Sequence, residues 1–258
     1  MFFFKGRRRR KLRGRPLRPV WIETLRRNLG FYARLPESDR AELHGHIRVF
    51  LDEKEFEGCG GLQLDDEIRV TVAAQACVLL LHRKTDYYPE LRSILIYPSP
   101  YRASRDVADG SGVVHRRQDV RLGESWSHGT VVLAWDSVRR GAVNPVDGHN
   151  VVFHEFAHQL DSEDGRTDGA PILADRSHYS PWARILGDEF ERLQQRRKGG
   201  RKSLLDHYGA TNPAEFFAVA TETFFENPGQ LKKKHPQLYG QLAGYYRQDP
   251  AGWPGGNE

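Results

Sequence analysis

The apolar positions of residues 150–161 repeat with the period of a helix that buries one side. Four of them follow the i, i+3, i+4, i+7 spacing of a single helical stripe: Phe153, Phe156, Ala157 and Leu160. Asn150 precedes the repeat and is a favourable N-cap residue. We therefore predict a helix that begins after Asn150, with a second stripe left available for polar side chains.

The remaining patterns predict helices separated by a few short strands. Helices are predicted at residues 21–35, from 36 to about 51, at 65–82, at 181–195, and from Pro213 onward, after the N-cap Asn212. Strands are predicted around Phe56, at 91–97 and at 130–134, with weaker candidates near 113–114 and 120–122. No internal repeat or long linker is visible. The pattern indicates an α+β fold in which helices surround a small mixed sheet.

Charge divides the chain into a basic N-terminal segment and a slightly acidic remainder. The net charge of +5 hides nine basic and no acidic residues within the first 20 positions. We expect residues 1–19 to be a disordered basic tail that can contact acidic surfaces, 20–248 to form a single domain, and 249–258 to be flexible. For the domain itself we expect no specific affinity for nucleic acid.

Composition also bears on location. A mean hydropathy of −0.66 and the absence of a long apolar run argue against a membrane span. The N-terminal apolar stretch, residues 1–4, is too short for a secretory signal. Two cysteines, Cys59 and Cys77, without the spacing of a zinc knuckle are typical of free thiols in a reducing compartment. We therefore expect a cytoplasmic protein.

The polar stripe of the helix at 150–161 contains a His-Glu-x-x-His sequence. His154 and His158 are four residues apart, so both imidazoles lie on one face and can bind one zinc ion. Glu155 stands beside that position and can take a proton from water. The pentapeptide also occurs in proteins that bind no metal, so the hypothesis needs a third ligand.

Three acidic residues after the motif are candidates for that ligand. Asp164 has the spacing of a metzincin ligand, but the glycine which that pattern requires is replaced by Asp161. Asp161 shares the helix with the histidines, which favours a supporting role over metal binding. Glu215 lies in the first turn of a second apolar helix and points the same way as Glu222, so we favour Glu215 as the third ligand. The alternative is that Glu215 only caps its helix and that Glu222 is a surface charge.

Two segments together resemble a known family. Residues 135–161, which include DGHNVVFHEFAHQLD, and residues 208–218, YGATNPAEFFA, are similar to the Mlc titration factor A family. Its members are bacterial zinc peptidases with a catalytic domain like that of anthrax lethal factor. The resemblance covers residues 20–245 and excludes the basic tail. It implies a zincin-like fold in which the His-Glu-x-x-His helix is the active-site helix.

The resemblance also implies roles for individual residues. One zinc ion per chain would be bound by His154, His158 and Glu215, with Glu155 as general base and Tyr208 assisting catalysis. Family members act as aminopeptidases on small aminoacyl substrates, and the founding member binds the glucose repressor Mlc. The implied function is that of a gluzincin-like zinc aminopeptidase. For such a function we expect the strand at 130–134 to offer a free edge, to which the peptide substrate adds as an extra strand. The alternative is a protein that sequesters a repressor of sugar uptake, with zinc in a structural or gating role.

Overall fold

The computed structural model describes residues 2–108, 114–121, 123–126, 129–144 and 148–254. Within them the helices are α1 (Phe2–Arg13), α2 (Pro19–Asn28), α3 (Glu37–Glu53), α4 (Asp66–Val78), α5 (Trp135–Val143), α6 (Val151–Asp161), α7 (Tyr179–Lys198), α8 (Pro213–Glu226), α9 (Pro228–Lys234) and α10 (Pro236–Tyr246). The strands are β1 (Glu55–Gly58), β2 (Ser93–Tyr97), β3 (Tyr101–Ala108), β4 (Val114–Arg121), β5 (Gly123–Trp126) and β6 (Thr130–Ala134). The predicted α+β class is confirmed.

The main sheet has the strand order β1-β2-β6-β5. β1, β2 and β6 are parallel, with Ile94 opposite Val131, whereas β5 runs antiparallel to β6. β6, predicted to offer a free edge, therefore lies between two strands, and β5 ends the sheet. β5 contacts α6, so the edge of the sheet lies beside the helix with the His-Glu-x-x-His sequence.

A second antiparallel pair, β3 and β4, was only partly predicted. The two weak strand candidates belong to the single strand β4, which pairs with β3; positions 113 and 122 lie outside the described residues. β3 and β5 have no apolar alternation of the kind that predicts a half-buried strand.

Two aromatic residues of α6 fix the orientation of that helix. Phe156 packs against Tyr88, with ring centroids 4.8 Å apart, and Phe153 packs against Phe225 of α8 at 5.2 Å. Both α6 side chains are almost fully buried. Burying one large apolar side chain contributes roughly 1.5–3 kcal/mol, so these contacts hold the histidine face of α6 in one direction.

α8 is buried around most of its circumference. Its aromatic residues face different neighbours: Phe217 packs on Trp182 of α7 at 5.8 Å, and Phe224 stacks on Tyr246 of α10 at 5.7 Å. A helix that is apolar on nearly all sides belongs in the core. Its carboxylates, Glu215 and Glu222, are therefore carried by a helix with little freedom to move.

The expectation of a disordered tail is wrong for Phe2–Arg13, which form α1 against α3. Arg9 donates from Nε and Nη2 to the two carboxylate oxygens of Glu53, each at 2.7 Å, and also pairs with Asp86. Its guanidinium lies 4.6 Å from the ring centroid of Tyr87, and Leu17 is buried. Sequence periodicity missed this helix because ion pairs and a cation–π contact hold it, and not an apolar stripe.

The expected flexibility of residues 249–258 is also wrong for the part that the structure describes. Trp253 is only 6% exposed and packs near Phe31 and Phe225, with ring centroids 6.5 and 6.3 Å away. Asp249 accepts hydrogen bonds from Tyr239 and Lys232. The chain is thus anchored as far as residue 253, while residues 255–258 lie outside the described ranges.

Among the described residues, no helix combines the length and apolar character that crossing a lipid bilayer requires.

Candidate metal centre

The N-terminus of α6 is held by a buried asparagine. Asn150 Oδ1 accepts hydrogen bonds from the backbone N–H groups of Val152 and Phe153, both at 3.1 Å. Its Nδ2 donates to Gln75 Oε1 at 2.8 Å and to Glu226 Oε1 at 2.9 Å. The predicted N-cap is confirmed, and its amide also ties α6 to α4 and α8.

Side chains from α6 and α8 converge on one point. His154 Nε2 lies 3.0 Å from Glu215 Oε2, His158 Nε2 lies 3.3 Å from the same oxygen, and the two Nε2 atoms are 3.3 Å apart. The three ligand atoms all lie within 4.8 Å of one another. Two imidazole nitrogens and one carboxylate oxygen at these separations form a three-ligand set for a single metal ion.

The start of α8 delivers Glu215 to this point. Asn212 is the N-cap, and its Oδ1 accepts the backbone N–H of Glu215 at 2.9 Å, while Pro213 occupies the first turn. The alternative that Glu215 serves only as a cap does not match the structure, since its carboxylate contacts the two histidines.

Glu222 lies further along α8 than Glu215. Its carboxylate contacts His154 but does not belong to the three-ligand set. Its Oε1 lies 2.7 Å from His154 Nδ1, and its Oε2 accepts the backbone N–H of Asn150 at 2.6 Å. With a metal ion bound, a proton on Nδ1 shared with this carboxylate would leave the lone pair of His154 Nε2 for the ion. The same side chain orients a ligand and fixes the start of α6.

The charges at this centre favour a cation. Burial acts to lower the pKa of His154, but its bonds with Glu215 and Glu222 outweigh burial and raise that pKa well above the usual range. Burial acts to raise the pKa of Glu215, and the hydrogen bonds from His154 and His158 outweigh it and lower that pKa. Positive charge is therefore stabilised where the three ligand atoms meet, and the residues present fit a bound metal ion.

Glu155 is almost completely buried, with 5% of its surface exposed. Burial is the largest influence on its carboxyl group and raises its pKa. A carboxylate whose pKa is shifted toward neutrality is suited to accept and release a proton.

Tyr208 lies on the open side of the same centre. Its hydroxyl donates to Glu215 Oε1 at 3.3 Å, and its ring centroid is 5.9 Å from that of His154. The side chain is 55% exposed, so its hydroxyl is accessible from solvent. Asp206 holds the segment by accepting the backbone N–H of Tyr208 at 2.6 Å.

The two other acidic candidates have different partners. Asp164 accepts the backbone N–H of Arg166 at 2.9 Å in a short turn and does not belong to the converging set. Asp161 is completely buried and accepts the backbone N–H of Gly169 at 2.9 Å. Asp161 therefore anchors the loop after α6 and does not reach the metal centre.

Gln75 and Glu226, the partners of the Asn150 amide, are not among the residues that the sequence patterns predict for the site. Gln75 interrupts the apolar run of α4, and a polar residue at a core position indicates a buried hydrogen bond. Glu226 lies four residues after Glu222, on the same side of α8. Both patterns are visible in the sequence, but neither indicates that Asn150 is the hydrogen-bond partner.

Comparison with known proteins identifies the family. The model of the family described as glucose-regulated metallo-peptidase M90 matches residues 3–247. An uncharacterized protein of Synechocystis sp., slr2042, is 43% identical over 244 residues, covering 94% of this chain and 89% of that protein. Mlc titration factor A of Yersinia pestis is 32% identical over 233 residues, covering 89% and 84%, and the protein of that name in Yersinia pseudotuberculosis gives the same values.

The matched region extends further than the resemblance found in sequence analysis. It begins at residue 3, so α1, which we had placed outside the family pattern, lies within the part that the family shares. With two histidines and a glutamate brought together by helices inside that region, the chain belongs to the glucose-regulated metallo-peptidase M90 family.

Proposed function

We propose that this protein is a zinc-dependent aminopeptidase of the gluzincin type, with a zincin-like arrangement of sheet and active-site helix. His154, His158 and Glu215 hold one zinc ion. The observation that carries this proposal is the convergence of these three side chains, two from α6 and one from α8, within 4.8 Å. A third ligand from a separate helix distinguishes this arrangement from the metzincin pattern.

A zinc ion held by these three residues would supply Lewis-acid chemistry, which polarises the scissile carbonyl and lowers the pKa of water. Glu155 takes a proton from the attacking water and passes it to the leaving amine. Tyr208, with its exposed hydroxyl 3.3 Å from Glu215, donates a hydrogen bond to the oxyanion that develops on the substrate. Glu222 keeps His154 in the tautomer that leaves Nε2 free for binding.

The substrate in this proposal is a short peptide or an aminoacyl amide. β5 replaces β6 as the strand to which an extended peptide would add, because it ends the main sheet and contacts α6. We place the protein in the cytoplasm on the basis of its two free thiols, Cys59 and Cys77.

The experiment that tests the metal ligands compares two variants by metal analysis and by hydrolysis of an alanyl nitroanilide. Glu215→Ala should lose the zinc ion and the activity together, since one of three protein ligands is gone. Asp164→Ala is the matched control and should retain both. Metal loss in Asp164→Ala with normal zinc in Glu215→Ala would overturn the assignment, as would full activity of the metal-free protein.

A second function has support from the names of the relatives. Proteins of Yersinia pestis and Yersinia pseudotuberculosis at 32% identity are called Mlc titration factor A. By analogy, this chain would bind a transcriptional repressor, with the metal centre in a structural or gating role. Calorimetric titration of the protein with purified repressor of the Mlc type tests this function. Equal affinity for wild type and Glu155→Gln would show that binding is independent of peptidase chemistry, and absence of binding would exclude this repressor as partner.

A further inference from the structure

A basic pocket lies behind the segment that carries Tyr208, on the side formed by α7 and α9. Its volume is about 310 Å³. Four cationic side chains line it: Arg192, Arg196, Arg201 and Lys234. None of the four is assigned to the metal centre, and a pocket of this size suits a small molecule better than a protein segment.

One carboxylate is present at this pocket, and its charge is already balanced. Glu189 is 6% exposed and lies 2.8 Å from His235 Nδ1 and 2.8 Å from Arg192 Nη1. Among the described residues, Arg196, Arg201 and Lys234 take part in no ion pair, so their charges are not compensated. Arg196 donates only to the carbonyl of Lys202, at 3.0 Å.

An excess of positive charge around a concave space attracts an anion and concentrates it there. Arginine guanidinium groups offer parallel N–H donors that match the oxygens of phosphate, and lysine adds a mobile ammonium group. Ser203 and Gln195 also line the pocket and supply uncharged donors. We infer that this pocket is a binding site for a small phosphorylated molecule, with Arg196, Arg201 and Lys234 as its recognition residues.

The pocket shares a wall with the Tyr208 segment. Leu205 lines it and precedes Asp206, the residue that holds the Tyr208 backbone. Leu193 also lines it and lies against Gly209, since a Cβ at Gly209 would be 3.3 Å from Leu193 Cδ2. The ligand site is therefore separate from the metal centre but lies against the same short segment.

Isothermal titration calorimetry with the full chain tests the inference. The probes are inorganic phosphate and glycerol 3-phosphate, each against sodium chloride of equal ionic strength. Saturable binding of at least one probe is expected. Tighter binding of glycerol 3-phosphate would identify an organic phosphate ester as the ligand class, and equal binding would identify the phosphate group alone.

Arg201→Gln/Lys234→Gln should weaken binding by about tenfold or more, because two charge-assisted hydrogen bonds to the phosphate group are lost. Arg197→Gln/Lys198→Gln is the matched control: these residues are exposed on α7 and do not line the pocket. Glu215→Ala should bind the probes normally, which separates this site from the metal centre. No saturable binding of either probe to wild type, or equal weakening in the control, would overturn the inference.

Discussion

Glu222 bridges two structural features, with Oε1 2.7 Å from His154 Nδ1 and Oε2 2.6 Å from the backbone nitrogen of Asn150. One carboxylate thus orients a proposed metal ligand and holds the first residue before α6. Because the side chain is only 6% exposed, water cannot readily replace either bond.

Glu222→Gln should reduce metal affinity by about 10–100-fold, since an amide is a weaker partner for the imidazole than a carboxylate. The measurement is a zinc titration in the presence of a competing chelator. Asp168→Asn, a change at an exposed carboxylate in the loop after α6, is the control and should leave the affinity unchanged. Equal affinity in Glu222→Gln and wild type would mean that His154 is oriented by other contacts.

Glu155→Gln should retain zinc and lower turnover by roughly 10²–10⁴-fold, because the proposed ligands remain while the proton acceptor is lost. The substitution is nearly isosteric, so the buried site should still fold. Metal content and nitroanilide hydrolysis are measured on the same preparation. Wild-type turnover in this variant would remove Glu155 from the mechanism.

Tyr208→Phe should lower turnover by about 10²–10³-fold with little change in KM, since an oxyanion donor acts mainly in the transition state. The exposed ring remains, so zinc content and thermal stability should not change. Tyr179→Phe is the control and should keep full activity. The hydroxyl of Tyr179 accepts a hydrogen bond from the backbone N–H of Leu173 at 3.2 Å. If both variants are equally active, Tyr208 has no catalytic part.

Gly169→Ala should destabilise the protein by about 1–3 kcal/mol. Gly169 has φ +78°, and a Cβ there would lie 2.4 Å from the carbonyl oxygen of Pro213, at the start of α8. The strain is therefore expected to displace Glu215 and to weaken metal binding as well. Urea unfolding and metal titration measure the two effects.

Gly187→Ala is the matched control for that substitution, because Gly187 lies within α7 and a Cβ there meets nothing within 4 Å. It should stabilise the protein by about 0.5–1 kcal/mol through helix propensity. Destabilisation of similar size in both variants would show that the contact with Pro213 is not the cause.

Because of Lys54, the free energy of unfolding is expected to change with pH in the alkaline range. Its ammonium group is buried and donates to the carbonyls of Tyr88 at 2.7 Å and Leu91 at 2.6 Å. Burial lowers the pKa of Lys54 from 10.5 to about 8. Between these values the unfolded chain binds more protons at Lys54 than the folded chain does, so stability due to this residue rises with pH.

The free energy of unfolding of wild type, relative to Lys54→Met, should therefore increase from about pH 8 to about pH 10, because the variant lacks this titration. Urea unfolding of both proteins at several pH values measures the difference. Taking the difference cancels the contributions of other titrating groups. A difference that stays constant over this range would show that the pKa of Lys54 is not lowered in the folded state.

Several elements of this protein follow from short stretches of sequence alone. The helix with the His-Glu-x-x-His sequence begins where Asn150 predicts it, and α8 begins after Asn212 and Pro213. His154 and His158 lie on one side of α6 because they are four residues apart on a helix. Caps, helical spacing and side-chain faces depend on hydrogen bonds and contacts within a few residues, so the local sequence is sufficient to specify them.

The tertiary structure decided what depends on residues far apart in the chain. Glu215 is 61 residues from His154, and only the packing of α8 on α6 brings its carboxylate, and not that of Asp164, to the histidines. The helix α1 is ordered by Arg9 and Glu53, which are 44 residues apart, and β6 loses its free edge when β5 pairs with it. Such contacts contribute free energy only when distant elements meet, so they cannot be predicted from periodicity along the chain.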